Sequence, residues 1–252
     1  MKQRVYFRDL QQMEYQQAWE LQEELLQKNI ELKRRISGVS GEFGGKGGPL
    51  NGQPFTNIPL ISDDTINYLL FVEHLPVYTL GKSGHEENLL IQEDELFKRG
   101  IQFFRTNRGG DITFHGSGQI VGYPILDLEK FGTDIGKYLR SLEEVIIRSL
   151  SEFGIKAGRS EGETGVWIDP EISGRARKIC AMGVRCSRWI TMHGFALNVN
   201  TDLSYFENII PCGIQDKQVT SMNRELGQEI SMKDAKEAIK RNFEFVFDVS
   251  LE

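Results

Sequence analysis

Five short apolar runs, each bounded by glycine, proline or charge, occupy the middle of the chain: INYLLFVEH from residue 66, VYTLG from 77, GVWI from 165, KICAMGVR from 178 and WITMHGFALNV from 189. They are too short for buried helices and rich in β-branched and aromatic residues, so they read as strands. A further strand pair is expected around a tight turn in TNRGGDITFHGSGQIVGYPIL (106–126). A sheet needs covering elements, and three segments supply them. Residues 12–35 place Tyr15, Ala18, Trp19, Leu26 and Ile30 near one helical face. Residues 134–153 repeat Ile135, Tyr138, Leu139, Leu142, Val145, Ile146 and Phe153 at three-and-four spacing, and Gly154 stops the run. Residues 231–247 open with Ser231 and Asp234 at capping-box spacing. The expected fold is therefore mixed α/β, with strands in the middle and helices at both ends.

Between the first helix and the first strand lies SGVSGEFGGKGGPLNGQPFTNIPLIS (37–62), with seven glycines and three prolines. That composition nucleates neither helix nor strand and reads as a long loop or mobile flap inserted in a single domain of residues 1–252. No internal repeat is visible.

Charge and cysteine usage narrow the function classes. A net charge of −6 argues against a general nucleic-acid binder, although a local basic patch remains compatible with it. No apolar run reaches the length of a membrane span, and the N-terminus MKQRVYFRDLQQMEYQQ lacks the apolar core of a signal peptide. A cytoplasmic protein with reduced thiols is expected. Three cysteines, Cys180, Cys186 and Cys212, are an odd number for a disulfide framework, so each is either a packing residue or reactive.

Two glycine-rich motifs do not hold. Lys46 follows Gly45, but Ser40 stands where a phosphate loop needs its first glycine, and Gly47 stands where it needs Ser or Thr. GSGQIVG (116–122) has Val121 at the third glycine of a dinucleotide fingerprint and lies between strands. The gaps separating Cys180, Cys186 and His193 match no common zinc spacing.

Three glycine-punctuated stretches remain: RGGDITFHGSGQ (108–119), RKICAMGVR (177–185) with TMHGFALNV (191–199), and IIPCGI (209–214). Glycine pairs let backbone amides approach a ligand, though Gly109–Gly110 also reads as an ordinary hairpin turn. His115 and His193 each precede a glycine and read first as packing or hydrogen-bonding residues. Cys212, between Pro211 and Gly213, sits at a bend from which a thiol can reach a cleft. Lys178, at the start of an apolar strand, is the cation that would favour its thiolate and would itself lose charge on desolvation. On residues alone this suggests a cysteine acyltransferase or hydrolase.

The same stretches resemble the octanoyltransferase family, also called lipoate–protein ligase B. The resemblance runs in order through EHLPVYTLGKSG, RGGDITFHGSGQIVGYPILDL, KICAMGVRCSRWITMHGFALNVNTDLSYF and IIPCGIQDKQVTSM, most of residues 71–222. It implies a domain similar to the biotin and lipoate protein ligases, with a central mixed sheet flanked by helices. It implies Cys212 as acyl-accepting nucleophile and Lys178 as its proton partner. It also implies an acyl pocket lined by Arg108, Gly109, Gly110, Asp111, Ile112, Thr113, Phe114 and His115, by Ala181, Met182 and Gly183, and by Gly194, Phe195 and Ala196. The implied donor is octanoyl–acyl carrier protein. The implied acceptors are lysines on lipoyl domains of 2-oxoacid dehydrogenase complexes and on the glycine cleavage H protein. No cofactor, metal, nucleic acid or membrane is implied, and the protein is expected to act as a monomer. Arg175, Arg177, Arg185 and Arg188 are candidates for a patch facing these acidic partners. The alternative is an ATP-dependent lipoate or biotin ligase of the same fold, which needs no nucleophilic cysteine. Cys180 stands where alanine is expected in the family, and the 37–62 insert is longer than the family usually needs.

Overall fold

The computed structural model describes residues 2–36, 64–210 and 218–252. In chain order its elements are β1 (Gln3–Met13), α1 (Tyr15–Ile36), β2 (Asn67–His74), β3 (Val77–Leu80), α2 (Glu93–Lys98), β4 (Gln102–Arg105), β5 (Ile112–His115) and β6 (Gln119–Ile125). There follow α3 (Ile135–Glu152), β7 (Val166–Ile168), β8 (Arg177–Ser187), β9 (Ile190–Asn198), β10 (Gln218–Val219), α4 (Met222–Leu226), α5 (Met232–Phe247) and β11 (Val249–Leu251). The glycine-rich insert 37–62, with Lys46, and the bend holding Cys212 lie outside the described residues. No described helix is long and apolar enough to cross a membrane.

Among the described residues the main sheet has eight strands, in the order β10-β8-β9-β6-β2-β1-β11 with β7 paired to β8 off this path. It is mixed: β1 runs parallel to β2 and β11, whereas β2–β6, β6–β9 and β8–β9 are antiparallel. β2 shows why it divides two cores. Leu69 and Phe71 enter the core shared with α3 and α5, and Tyr68, Leu70 and Val72 enter the core under α1. A second sheet, β4-β3-β5, encloses a smaller core with Phe114 and Phe206.

Local signals placed the helices well. Asp134 caps α3 by accepting from Lys137 N at 2.9 Å, and Gly154 follows its end with φ +77°. Ser231 Oγ accepts from Asp234 N at 3.2 Å and starts α5. Three strand readings need correction. Residues 3–13 form β1, so the first helix starts at Tyr15 and not at residue 12. Only Val5 of that strand is fully buried, which leaves little alternation to read. β5 and β6 are not partners: β5 pairs with β3, and β6 joins β2 to β9. The Gly109–Gly110 turn likewise links β4 and β5, which both flank β3, so it is not a hairpin.

Candidate active site

A cavity of about 400 Å³ lies over the main sheet, between β8 and β9 and the loop entering β5. Its wall is made of small side chains because the strand register lines them up. Ala181 of β8 stands opposite Ala196 of β9, which stands opposite Val121 of β6. One row along, Gly183 faces Gly194. In the other direction the row becomes polar, with Gln119 facing Asn198. Lys178 lies at this polar end of the lining.

The Arg108–Gly110 loop can close over β8 because Gly183 carries no side chain. A Cβ there would stand 2.7 Å from the Gly109 carbonyl oxygen and 3.3 Å from Arg108 Cδ. In its absence Gly109 N donates to the Val184 carbonyl at 2.9 Å. Arg108, only 7% exposed, turns its Nη2 onto the Thr79 hydroxyl at 2.9 Å and its Nη1 onto the Gly109 carbonyl at 3.0 Å.

Most residues singled out in the sequence meet at this cavity. Arg108, Gly110, Asp111, Ile112, Thr113 and His115 line it from one side. Lys178, Ala181, Met182 and Gly183 line it from β8, and Gly194, Phe195 and Ala196 from β9. Gly109 and Phe114 are not part of the lining. Phe114 points away into the small core, stacked on Tyr205 at 4.4 Å. The lining also holds residues that sequence reading did not select: Tyr15, Gln119, Tyr123, Asn198, the 162–164 segment and Phe206. The available signal was a polar residue inside an apolar strand, Gln119 before IVGYP and Asn198 after FAL.

Lys178 is held by its neighbours in the sheet. Its Nζ lies 4.6 Å from the centroid of the Trp167 ring, and its carbonyl accepts from Thr220 N at 2.9 Å. Gly165, at φ +119°, packs against the lysine stem, and its N–H is held by the fully buried Glu143 carboxylate at 3.0 Å.

Two of the three thiols are packing residues. Cys180 is fully buried in the core under α3, and burial pushes its thiol well up. Cys186 is half-buried and pushed up for the same reason. Neither environment favours a thiolate.

Burial lowers the pKa of three histidines, of which His115 and His193 line the cavity and His74 lies behind it. His74 Nδ1 donates to the Met13 carbonyl at 2.9 Å, so Nε2 accepts from Tyr123 Oη at 2.7 Å. Burial lowers its pKa to about 4. His193 has a strained backbone, φ +57°, and its N–H donates to Gln22 Oε1 at 2.9 Å. Its Nε2 donates to Asn107 Oδ1 at 2.7 Å, and burial lowers its pKa to about 3. Burial also holds His115 well below the ordinary histidine range, with both ring nitrogens hydrogen-bonded.

The four arginines expected to form a basic patch do not act together. Arg177 is gripped by Glu225 at 2.6 Å and by Asp169 at 2.6 Å, and Arg185 pairs with Glu23. Arg175 and Arg188 remain exposed. Intramolecular carboxylates brought in by the fold account for the difference.

Comparison with known proteins agrees with this geometry. Residues 55–244 match the model of the lipoyl protein ligase A/B catalytic domain. The chain is 53% identical to an octanoyltransferase of Christiangramia forsetii, over 100% of this chain and 99% of that protein. It is 52% identical to an octanoyltransferase of Flavobacterium johnsoniae over the full length of both. Among solved structures, a bipartite lipoate protein ligase of Thermoplasma acidophilum superposes with a TM-score of 0.64 at 17% identity, covering 99% of this chain and 86% of that one. A lipoate-protein ligase A bound with ATP gives 0.64 at 17% identity, covering 100% and 88%. These structural likenesses concern the fold alone. With its sheet, its cavity and its full-length relatives in agreement, the chain belongs, together with these octanoyltransferases, to the lipoyl protein ligase A/B catalytic domain family.

Proposed function

We propose that the chain is an acyltransferase acting in protein lipoylation as one catalytic domain. It moves an octanoyl group from octanoyl–acyl carrier protein to the ε-amine of a lysine on a lipoyl domain. The observation that carries this reading is the full-length identity to octanoyltransferases, in a chain whose cavity, walled by small residues, has Lys178 at its polar end.

In the proposed reaction Lys178 takes the proton of Cys212, and the thiolate attacks the donor thioester carbonyl. The carrier thiolate leaves and is protonated by Lys178, and the acyl chain rests over Ala181, Ala196 and Val121. The acceptor amine then attacks the Cys212 thioester, gives its proton to Lys178, and releases the cysteine thiolate. One thioester is exchanged for another, so the first step needs no ATP. Cys212 is proposed on the sequence resemblance, and the burial of Cys180 and Cys186 supports it by elimination. Of the two histidines that line the cavity, His115 has both ring nitrogens engaged and His193 keeps an unpartnered Nδ1, so the preference for an acyltransferase over a cysteine–histidine hydrolase rests on the full-length octanoyltransferase relatives. Of the four arginines, Arg175 and Arg188 are the exposed pair that could meet acidic carrier and lipoyl domains.

The test is to incubate the protein with octanoyl–acyl carrier protein without ATP, then record intact mass and map the peptides. One octanoyl group on Cys212, absent in Cys212→Ser and much slower in Lys178→Ala, is the expected result. Modification that requires ATP and free octanoate would replace this reading with the ligase.

A further inference from the structure

A hydrogen-bond chain crosses the floor of the cavity, and one of its two ends dictates its direction. At one end the Arg108 guanidinium can only donate, and its Nη2 donates to the Thr79 hydroxyl at 2.9 Å. That hydroxyl, 3.3 Å from His115 Nε2, keeps a proton to donate and a second lone pair to accept with, so this end leaves the direction open. At the other end the Thr220 carbonyl can only accept, and Asn198 Nδ2 donates to it at 3.0 Å. The Asn198 amide is thereby oriented, and its Oδ1 accepts from Gln119 Nε2 at 2.9 Å. Gln119 Nε2 also donates to the Phe114 carbonyl at 3.1 Å, which leaves Oε1 to accept from His115 Nδ1 at 2.8 Å. The argument from the Thr220 end reaches His115: Nδ1 carries the proton, and Nε2, with the lone pair, accepts from the Thr79 hydroxyl.

Every member of this chain is buried, so inverting one amide would set carbonyl against carbonyl away from water. The chain also ends at a consequential place. Thr220 N donates to the Lys178 carbonyl at 2.9 Å, and the preceding Gln218 and Val219 pair with Arg177 and Lys178. One polarised path therefore ties the Arg108 loop, through β3, β5, β6 and β9, to the backbone beside Lys178.

We propose that Gln119 and Asn198 are positioning residues for acyl transfer, holding the Lys178 backbone and the Arg108 loop in one register across the pocket. This rests on the octanoyltransferase reading. Its readout is a split between kcat and KM: misplaced groups slow the chemical step while the pocket still takes the acyl chain.

Two measurements test it on the full chain. In imidazole-labelled protein, nitrogen NMR should show His115 as the Nδ1–H tautomer from pH 6 to 8, assigned by comparison with His115→Phe. In steady-state assays with octanoyl–acyl carrier protein, Asn198→Ala and Gln119→Glu should lower kcat by roughly 10–100-fold, with KM within about two-fold. Thr79→Val removes only a hydroxyl, so it carries the test if Asn198→Ala does not fold, and Thr79→Ser should restore its loss. An Nε2–H tautomer, wild-type kcat in the variants, or a loss confined to KM overturns the proposal. If the wild type loads no octanoyl group, the functional reading falls, and the positioning role with it, while the tautomer stands as a separate result. If the wild type is active and Asn198→Ala equally so, the positioning role alone falls.

Discussion

Lys178 Nζ lies 4.6 Å from the centroid of the Trp167 ring, its partner across the β7–β8 pair. The aromatic face, with Gly165 packed along the stem, orders a side chain that would otherwise sample many rotamers.

Lys178→Arg keeps a cation that stacks on Trp167 but cannot act as a base at neutral pH. Single-turnover octanoyl loading is expected to slow by about 10²–10⁴-fold, with a melting temperature close to wild type. Loading at the wild-type rate would remove Lys178 from the proposed chemistry.

Ala196 stands between Ala181 and Val121 at the middle of the pocket wall. Ala196→Val should shorten the usable pocket and shift the preference from octanoyl towards shorter acyl groups by about 10-fold or more in kcat/KM. The comparison is between butanoyl, hexanoyl and octanoyl donors. An unchanged ranking would place the acyl chain elsewhere.

A Cβ on Gly194 would stand 2.2 Å from the Gly122 carbonyl oxygen, a backbone atom, and one on Gly183 would stand 2.7 Å from that of Gly109. Gly194→Ala and Gly183→Ala should each destabilise by about 1–3 kcal/mol, Gly194→Ala more, because the Gly122 carbonyl belongs to a central strand and cannot move as a loop can. Denaturant midpoints at unchanged slope measure the effect, and the reverse order would contradict the packing argument.

Three buried histidines set a pH dependence of stability. His74 falls to about 4 and His193 to about 3, with His115 also lowered, against an ordinary value of 6.5. Between those values the unfolded chain binds protons that the folded one does not, so stability rises with pH. Their contribution is full above pH 6.5 and is lost as pH falls from there towards 4, by at most about 1.4 kcal/mol per pH unit for each histidine. Denaturant titrations at pH 7.5, 6.5 and 5.5, above the usual carboxylate range, should show the decline. A flat profile would mean that these rings take up protons without disturbing the fold.

Helices α3 and α5 were legible because their signals are local: apolar spacing, the Ser231 cap and the Gly154 stop all act within a turn or two of chain. The strand-forming runs were legible for the same reason, as was the grouping of small residues at Ala181, Gly183, Gly194 and Ala196. Partner choice was not. Whether β5 pairs with β6 or with β3 depends on which surfaces meet after long loops close, and no local pattern encodes that. The polar β1 escaped notice because its pairing comes from β2 and β11, the latter at the far end of the chain. The same holds for charge. Arg177 and Arg185 look like free cations in the sequence, and the fold brings Glu225, Asp169 and Glu23 to them. What the sequence by itself determined is the set of elements and the chemical groups they carry, since periodicity and residue type are properties of neighbouring positions. What only the tertiary structure decided is which groups face one another: Lys178 on Trp167, and His115 between Gln119 and Thr79. Hydrogen-bond direction and burial arise only when distant strands close on a common cavity.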